Sequence, residues 1–219
     1  ILITGASSGF GKLTAFELAK RGHQVLAGIR GGEERLKAII AACDSEEKTQ
    51  LTRLMAEGRL RACDLHLDQP DSFQRLDSHL AAWNQEVDVL INNAGYGLLG
   101  PVHLTSMKEL RQEFEVNFFG PTALTQKLLP ALEKTGGRVI NLSSLIGIVP
   151  MPLYGSYSAS RFALEAITEA MAYDLRAKGI DVCLVEPGGF KTEFGTSYQR
   201  PESTMKPGSP GHEQMNYFN

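Results

Sequence analysis

Six short apolar runs, rich in β-branched residues, alternate along this chain with longer amphipathic stretches, and this rhythm restricts the fold more than any other feature. The runs are ILIT (1–4), QVLAGI (24–29), RLRAC (59–63), VDVLIN (87–92), RVINLS (138–143) and DVCLVE (181–186). Between them the pattern predicts helices at about 10–21, 33–42, 46–57, 70–84, 105–133 and 158–178. Strands joined through helices pair in parallel, since a parallel neighbour is reached only by a crossover. Stretches such as VLI and VCLV are apolar at successive positions, so both faces of each strand are covered. The expectation is an α/β, doubly wound parallel sheet of at least six strands with helices on both faces. A seventh strand is not visible.

A chain of 219 residues with 42% hydrophobic residues can bury one full core. Residues 1–194 are read as one domain of this fold. From Gly195 the composition turns to Gly, Pro and Ser, and 195–219 is read as a loop or tail, with part of a lid as the alternative. The net charge of −3 is built from interspersed charges with no basic run, which argues against nucleic acid as a partner. Cys43, Cys63 and Cys183 are odd in number and lack metal-site spacing. They are read as small apolar residues in a reducing compartment, with no metal and no disulfide framework. No apolar run approaches the ~20 residues of a membrane span. The location expected is cytoplasmic, although the chain begins inside a strand and without methionine.

The stretch Thr4-Gly5-Ala6-Ser7-Ser8-Gly9-Phe10-Gly11-Lys12 leaves a strand and opens a helix, so backbone N–H groups and the helix dipole can meet a phosphate there. A side chain at Gly5 or Gly9 would obstruct the turn or the phosphate, and one at Gly11 would push the helix off the strand. A P-loop would need glycine where Ala6 stands and Ser or Thr where Leu13 stands, so that reading fails. The GxSxG of a hydrolase nucleophile elbow does match Gly5 to Gly9, with Ser7 as nucleophile, yet it falls on the first strand. TGxxxGxG is a variant of the dinucleotide turn, with Thr14 in place of the third glycine. Such a turn can also occur with no ligand.

Further signals follow at spaced positions. Asn92-Asn93-Ala94-Gly95 closes the fourth run, and Asn117 interrupts the longest predicted helix. Ser143-Ser144 ends the fifth run, Tyr157 stands thirteen residues after Ser144, and Pro187-Gly188 precede Thr192. Together with TGASSGFG these residues resemble the short-chain dehydrogenase/reductase family, from Ile1 to about Thr192. NNAGYGLLG and VNFFGPTALTQ are similar to its steroid- and retinol-dehydrogenase-like branch. The resemblance implies a Rossmann-like fold and interconversion of a secondary alcohol with a ketone or aldehyde. It further implies Tyr157 as acid/base, Ser144 as the group that orients the carbonyl, Asn117 as holder of a water, and a dinucleotide along Gly5, Ser7, Ser8, Gly9, Phe10, Gly11, Asp64, Asn93, Ala94, Gly95, Pro187, Gly188 and Thr192. Bland alternatives stand beside these roles: Ser144 as a cap, Asn117 as a ligand of backbone groups, Asn93 as a fixer of loop geometry, and Asp64 as a turn cap. Homo-oligomers packed through 105–133 and 158–178 and a small, apolar substrate are also implied.

The chemistry explains the residue types. Reduction of a carbonyl needs an acid within hydrogen-bond reach of its oxygen. A free phenol titrates near ~10, so its use at neutral pH calls for a nearby cation. In the family a lysine four residues after the tyrosine supplies it, on the same helix face. Here that position is Arg161. Guanidinium keeps the charge and can donate to ribose hydroxyls, but it is planar and bulky, so weakened turnover is expected. The second run ends in Ile29-Arg30, with no carboxylate to accept from a ribose 2′-hydroxyl and a guanidinium suited to a 2′-phosphate, so NADP(H) is preferred and NAD(H) remains possible. A cofactor-binding sensor with little catalysis, and a serine hydrolase using Ser7, are the rival readings.

Overall fold

The computed structural model describes residues 1–83, 86–190, 198–205, 207–209, 212, 213 and 215. Six strands, β1 (Leu2–Thr4), β2 (Val25–Ile29), β3 (Leu60–Asp64), β4 (Val89–Asn92), β5 (Arg138–Leu142) and β6 (Asp181–Val185), form one sheet in the order β3-β2-β1-β4-β5-β6. Every pairing is parallel. The chain winds outward from β1 to β3, returns to β4 beside β1, and winds outward again. β1 and β4 therefore flank the topological switch point, where loops diverge and leave a crevice at the carboxyl ends of the strands.

Successive strand residues serve opposite faces. Leu2, Leu26, Leu90 and Val139 enter one core with Leu76, Leu124, Leu128 and Leu132. Ile3, Ala27 and Ile91 enter the other with Ala15, Phe16, Leu36 and Leu51. This two-sided burial is why the strands read as unbroken apolar runs. β6 is the exception, an edge strand whose Val185 is 44% exposed. Cys183 on it is exposed rather than a core residue, a correction to the sequence reading, whereas Cys63 is buried and burial pushes its thiol up to about 12.

The helices are α1 (Gly9–Lys20), α2 (Gly32–Ala41), α3 (Ser45–Ala56), α4 (Pro70–Trp83), α5 (Met107–Phe114), α6 (Gly120–Thr135), α7 (Gly155–Asp174) and α8 (Glu202–Met205). The single helix expected at 105–133 is in fact composite. A 3₁₀ turn at Val102–Leu104 precedes α5, and a π-helical segment, Glu115–Phe119, joins α5 to α6. α5 starts where Ser106 and Glu109 form a reciprocal capping box. α7 begins at Gly155, before the expected 158, and ends at Asp174, with a separate 3₁₀ turn at Arg176–Lys178.

A buried polar ladder crosses the sheet beneath the crevice. Asn92 Nδ2 donates to Thr125 Oγ1 (3.0 Å) and Asn141 Oδ1 (2.8 Å), and Asn141 Nδ2 donates to Thr168 Oγ1 (2.7 Å). It ties β4 and β5 to α6 and α7 in one register.

Candidate active site

The turn after β1 is built by exclusion of side chains. Gly5 has φ +67°, and a Cβ there would lie 2.7 Å from Ala94 Cα. A Cβ on Gly11 would lie 2.3 Å from both Asn93 Nδ2 and Gly5 O. Gly11 thus lets α1 start tight against the β4 loop; it does not itself line the crevice. Asn93 Nδ2 fastens that contact by donating to Thr4 O (2.8 Å) and Gly5 O (3.2 Å). Ser8 caps α1 through extended backbone and without a side-chain hydrogen bond, and the first turn carries no acidic residue. The N-terminus of this helix is electrostatically fit to receive an anion.

From this turn a cleft of about 620 Å³ runs over the carboxyl ends of β1, β4 and β5. Of the residues singled out in the sequence, Gly5, Ser7, Ser8, Gly9, Phe10, Arg30, Asn93, Ala94, Gly95, Ser144, Tyr157, Arg161, Pro187 and Gly188 line it. Asp64 and Asn117 do not line it, and Thr192 lies outside the described residues. Asp64 Oδ1 accepts from Gly31 N (2.8 Å) and pairs with His66 Nε2 (3.0 Å). The Gly31 N–H, foremost, holds its carboxyl below the usual value. Asp64 thus caps the turn after β2, and the neighbouring His66 lines the cleft instead.

Asn117 sits in the π-helical segment, where the widened turn carries its amide inward. Its Nδ2 donates to Tyr96 O (2.8 Å) and Ser160 Oγ (3.0 Å), and its Oδ1 accepts from Tyr96 N (3.1 Å). These bonds fix Tyr96 on the cleft wall and leave the amide engaged with backbone and Ser160. Gly120 ends the segment, and a Cβ there would come 2.5 Å from Leu67 O.

Tyr157 and Arg161 lie one turn apart on α7 and are only 3% exposed each. The Arg161 Cζ stands 5.2 Å from the Tyr157 ring centroid, and its Nη1 donates to Leu142 O (3.1 Å). Its Nε is buried with no hydrogen-bond partner among the described residues. The other arm of the fork presses on the β4 loop: a Cβ on Gly95 would lie 2.0 Å from Nη2. Ser144 lies two residues past β5 and caps the 3₁₀ turn Leu145–Gly147, its Oγ accepting from Ile146 N at 3.4 Å. Phe190 reaches back from the segment after β6 to meet Phe10 edge to face, with centroids 5.4 Å apart.

The profile of the short chain dehydrogenase family matches residues 1–203. The chain belongs to the short-chain dehydrogenase family. This short-chain dehydrogenase is 36% identical over 213 residues to the uncharacterized oxidoreductase YbbO of Escherichia coli (96% of the chain, 73% of the relative). It is 36% identical over 195 residues to a 3-ketodihydrosphingosine reductase of Bacteroides thetaiotaomicron (89% and 65%), and 34% identical over 209 residues to retinol dehydrogenase 5 of Mus musculus (94% and 61%). The chain spans about two thirds of the length of these relatives. Among solved structures, a short-chain dehydrogenase from Streptomyces avermitilis superposes with TM-score 0.80 at 33% identity, covering 98% of this chain and 76% of that one. One from Sphingobium yanoikuyae in complex with NADPH gives 0.74 at 27% identity, covering 90% and 74%. No described helix of the short-chain dehydrogenase is long and apolar enough to cross a membrane.

Several cleft residues escaped the sequence reading. Tyr198 and Gln199 come from the stretch read as a loop or tail. Glu113 carried no motif, yet it is fully buried, and its Oε1 accepts from Leu98 N at 2.7 Å behind the cleft wall. Burial, outweighing that N–H and the Arg161 charge, pushes its carboxyl up to about 7. A polar residue amid the apolar face of an amphipathic helix was the available signal.

Proposed function

We propose that this chain is an oxidoreductase interconverting a secondary alcohol and a ketone or aldehyde, with a nicotinamide dinucleotide, NADP(H) in preference to NAD(H), and with Tyr157 as acid/base. The observation that carries the reading is that the glycine-rich turn, Ser144, Tyr157 and Arg161 line one cleft at the switch point of the sheet. Membership of the family and the NADPH-bound relative support it. So does the fit: Gly5 and Gly9 line the cleft at the N-terminus of α1, whose first turn carries no acidic residue, and Gly95, Pro187 and Gly188 line it farther on.

In this reading Gly5, Ser7, Ser8, Gly9 and Phe10 hold the pyrophosphate, and Ala94, Gly95, Pro187 and Gly188 flank the nicotinamide. When bound, the cofactor supplies or accepts the hydride. Ser144 Oγ donates to the carbonyl oxygen and sets its direction. As negative charge gathers on that oxygen, the Tyr157 hydroxyl gives up its proton to it, and the Arg161 cation beside the ring stabilises the phenolate left behind. Oxidation runs the same proton path in reverse. Asn117 acts by holding Tyr96, and Asn93 by holding the turn. Arg30, exposed at the cleft rim beyond Ile29, attracts a 2′-phosphate. A small, apolar substrate is favoured, in keeping with relatives named for retinol and for 3-ketodihydrosphingosine. A cytoplasmic location and homo-oligomers packed through 105–133 and 158–178 belong to the same reading. Family membership removes the grounds for a hydrolase built on Ser7.

The test is NADPH binding by fluorescence together with NADPH oxidation over a panel of ketones and aldehydes. Tyr157→Phe is expected to keep binding and to lose roughly 10²-fold or more in turnover. NADPH is expected to outperform NADH, with the advantage lost in Arg30→Glu. Tight binding with no turnover of any carbonyl would instead favour a cofactor sensor, the reading that Arg161 allows.

A further inference from the structure

A second tyrosine stands beside Tyr157 and comes from a different part of the chain. Gly97, on the loop after β4, has no side chain, and the space a Cβ would fill is taken by the Tyr198 ring, 2.5 Å from that position at Cε1 and 2.6 Å at Cδ1. The same position lies 3.6 Å from Tyr157 Cγ, so the two rings share one notch. Tyr198 also meets Tyr154 edge to face, with centroids 5.6 Å apart and planes at 79°. Both Tyr157 and Tyr198 line the cleft.

The backbone holds Tyr198 there. Leu98 and Gln199 form a parallel bridge, in which Gln199 N donates to Gly97 O (2.9 Å) and Leu99 N donates to Gln199 O (2.8 Å). Behind it, the Glu113 carboxylate accepts from Leu98 N, and the Ser156 hydroxyl donates to Leu98 O (3.2 Å). Pro201 packs where a Cβ on Gly100 would stand, 2.6 Å from its Cδ, and Ser203 Oγ donates to Leu104 O (2.6 Å). A segment carried past β6 is thereby stitched to the β4 loop at successive residues, with one aromatic ring turned into the cleft.

We propose that Tyr198 is a specificity-determining residue, the wall that limits the size of the group a carbonyl substrate can place beside Tyr157. This rests on reading Tyr157 as the residue that meets the carbonyl. The ring is seated by a glycine notch, an aromatic neighbour and a two-bond bridge, so a larger substituent cannot displace it without breaking those contacts. Burial holds its phenol protonated well above the ordinary range, so it faces the substrate as a neutral, flat and largely apolar surface.

The experiment is calorimetric titration of cyclohexanone and of benzophenone into protein with saturating NADP⁺, where no hydride is available and neither ketone turns over. Tyr198→Ala is expected to shift the ratio of the two dissociation constants by roughly tenfold or more toward benzophenone. Tyr198→Leu is expected to fall between it and the parent, and Tyr198→Phe to stay within about twofold of the parent, since removing only a hydroxyl leaves the wall in place. An unchanged ratio in Tyr198→Ala overturns the proposal, as does failure of both ketones to bind parent and variants alike. The separate NADPH-oxidation panel decides the oxidoreductase reading: a shifted ratio without turnover would sink that reading and leave the wall standing.

Discussion

Arg161 is the residue on which most of the proposed chemistry turns, and its surroundings show how the guanidinium is housed. One arm of the guanidinium is tied to Leu142 O and the other lies against Gly95. A lysine ammonium would carry the charge but could not span both sites. Arg161→Met is expected to reduce kcat/KM for carbonyl reduction by roughly 10²-fold with NADPH binding largely kept, whereas Arg161→Lys should keep the cation and stay above Arg161→Met. Gly95→Ala tests the housing itself: its methyl would meet Nη2 at 2.0 Å, so the guanidinium must leave, and the variant should mimic Arg161→Met in a steady-state assay. Gly11→Ala, whose methyl would strike backbone at 2.3 Å, should cost ~1–3 kcal/mol by chemical denaturation and weaken NADPH binding as well. The motif residues were legible because glycine, serine and tyrosine at fixed spacing leave a linear trace. Asp64 was only half legible: the sequence offered it as cap or as ligand, and the Gly31 N–H claims its oxygen. Glu113 left only the weak trace of a polar residue on an apolar helix face, and Tyr198 left none, because what defines it is a contact with Gly97, far away along the chain.

At the scale of elements, the strands were legible within a residue or so, since burial on both faces forces an unbroken apolar run. The same reasoning gave α1 to α4 with near-correct limits. It failed across 105–133, where apolar periodicity persists through a change of helical pitch. Periodicity reports which face is buried and is blind to one extra residue per turn, so the π-helical segment was hidden although Asn117 marked its place. Ser106 with Glu109 was a readable start signal that the longer pattern masked. The Asn92–Thr125–Asn141–Thr168 ladder shows why these elements hold register. Asn141→Ala would remove two buried hydrogen bonds at once, one from the Asn92 amide, which keeps Thr125 Oγ1, and one to the Thr168 hydroxyl, which keeps Leu164 O. The expected loss is ~2–3 kcal/mol, seen as a fall in Tm of ~5–10 °C.

For the molecule as a whole, the buried Glu113 links stability to pH. The folded state keeps its proton to about pH 7, whereas a glutamate in the unfolded chain releases it near ~4.3. Between those limits the unfolded state binds fewer protons, so stability contributed by this group declines as pH rises through the interval and is fully present only below it. Arg161 opposes the shift, and the Tyr96 phenol, itself held protonated by burial, faces the same carboxyl. Urea titrations at pH 5 and pH 8 should show the parent losing stability relative to Glu113→Gln by up to ~3 kcal/mol across the interval. A constant difference between the two proteins would show that the carboxyl ionises normally.

The uniform direction of the six strands has a practical corollary. The described residues assigned a chemical role gather on one rim of the sheet, while the described links on the far rim, such as the one at exposed His23, lead into strands. A dye, a surface tether or an inserted reporter attached on that far side would be some strand length away from substrate, so the protein could be immobilised or labelled there with its catalysis intact.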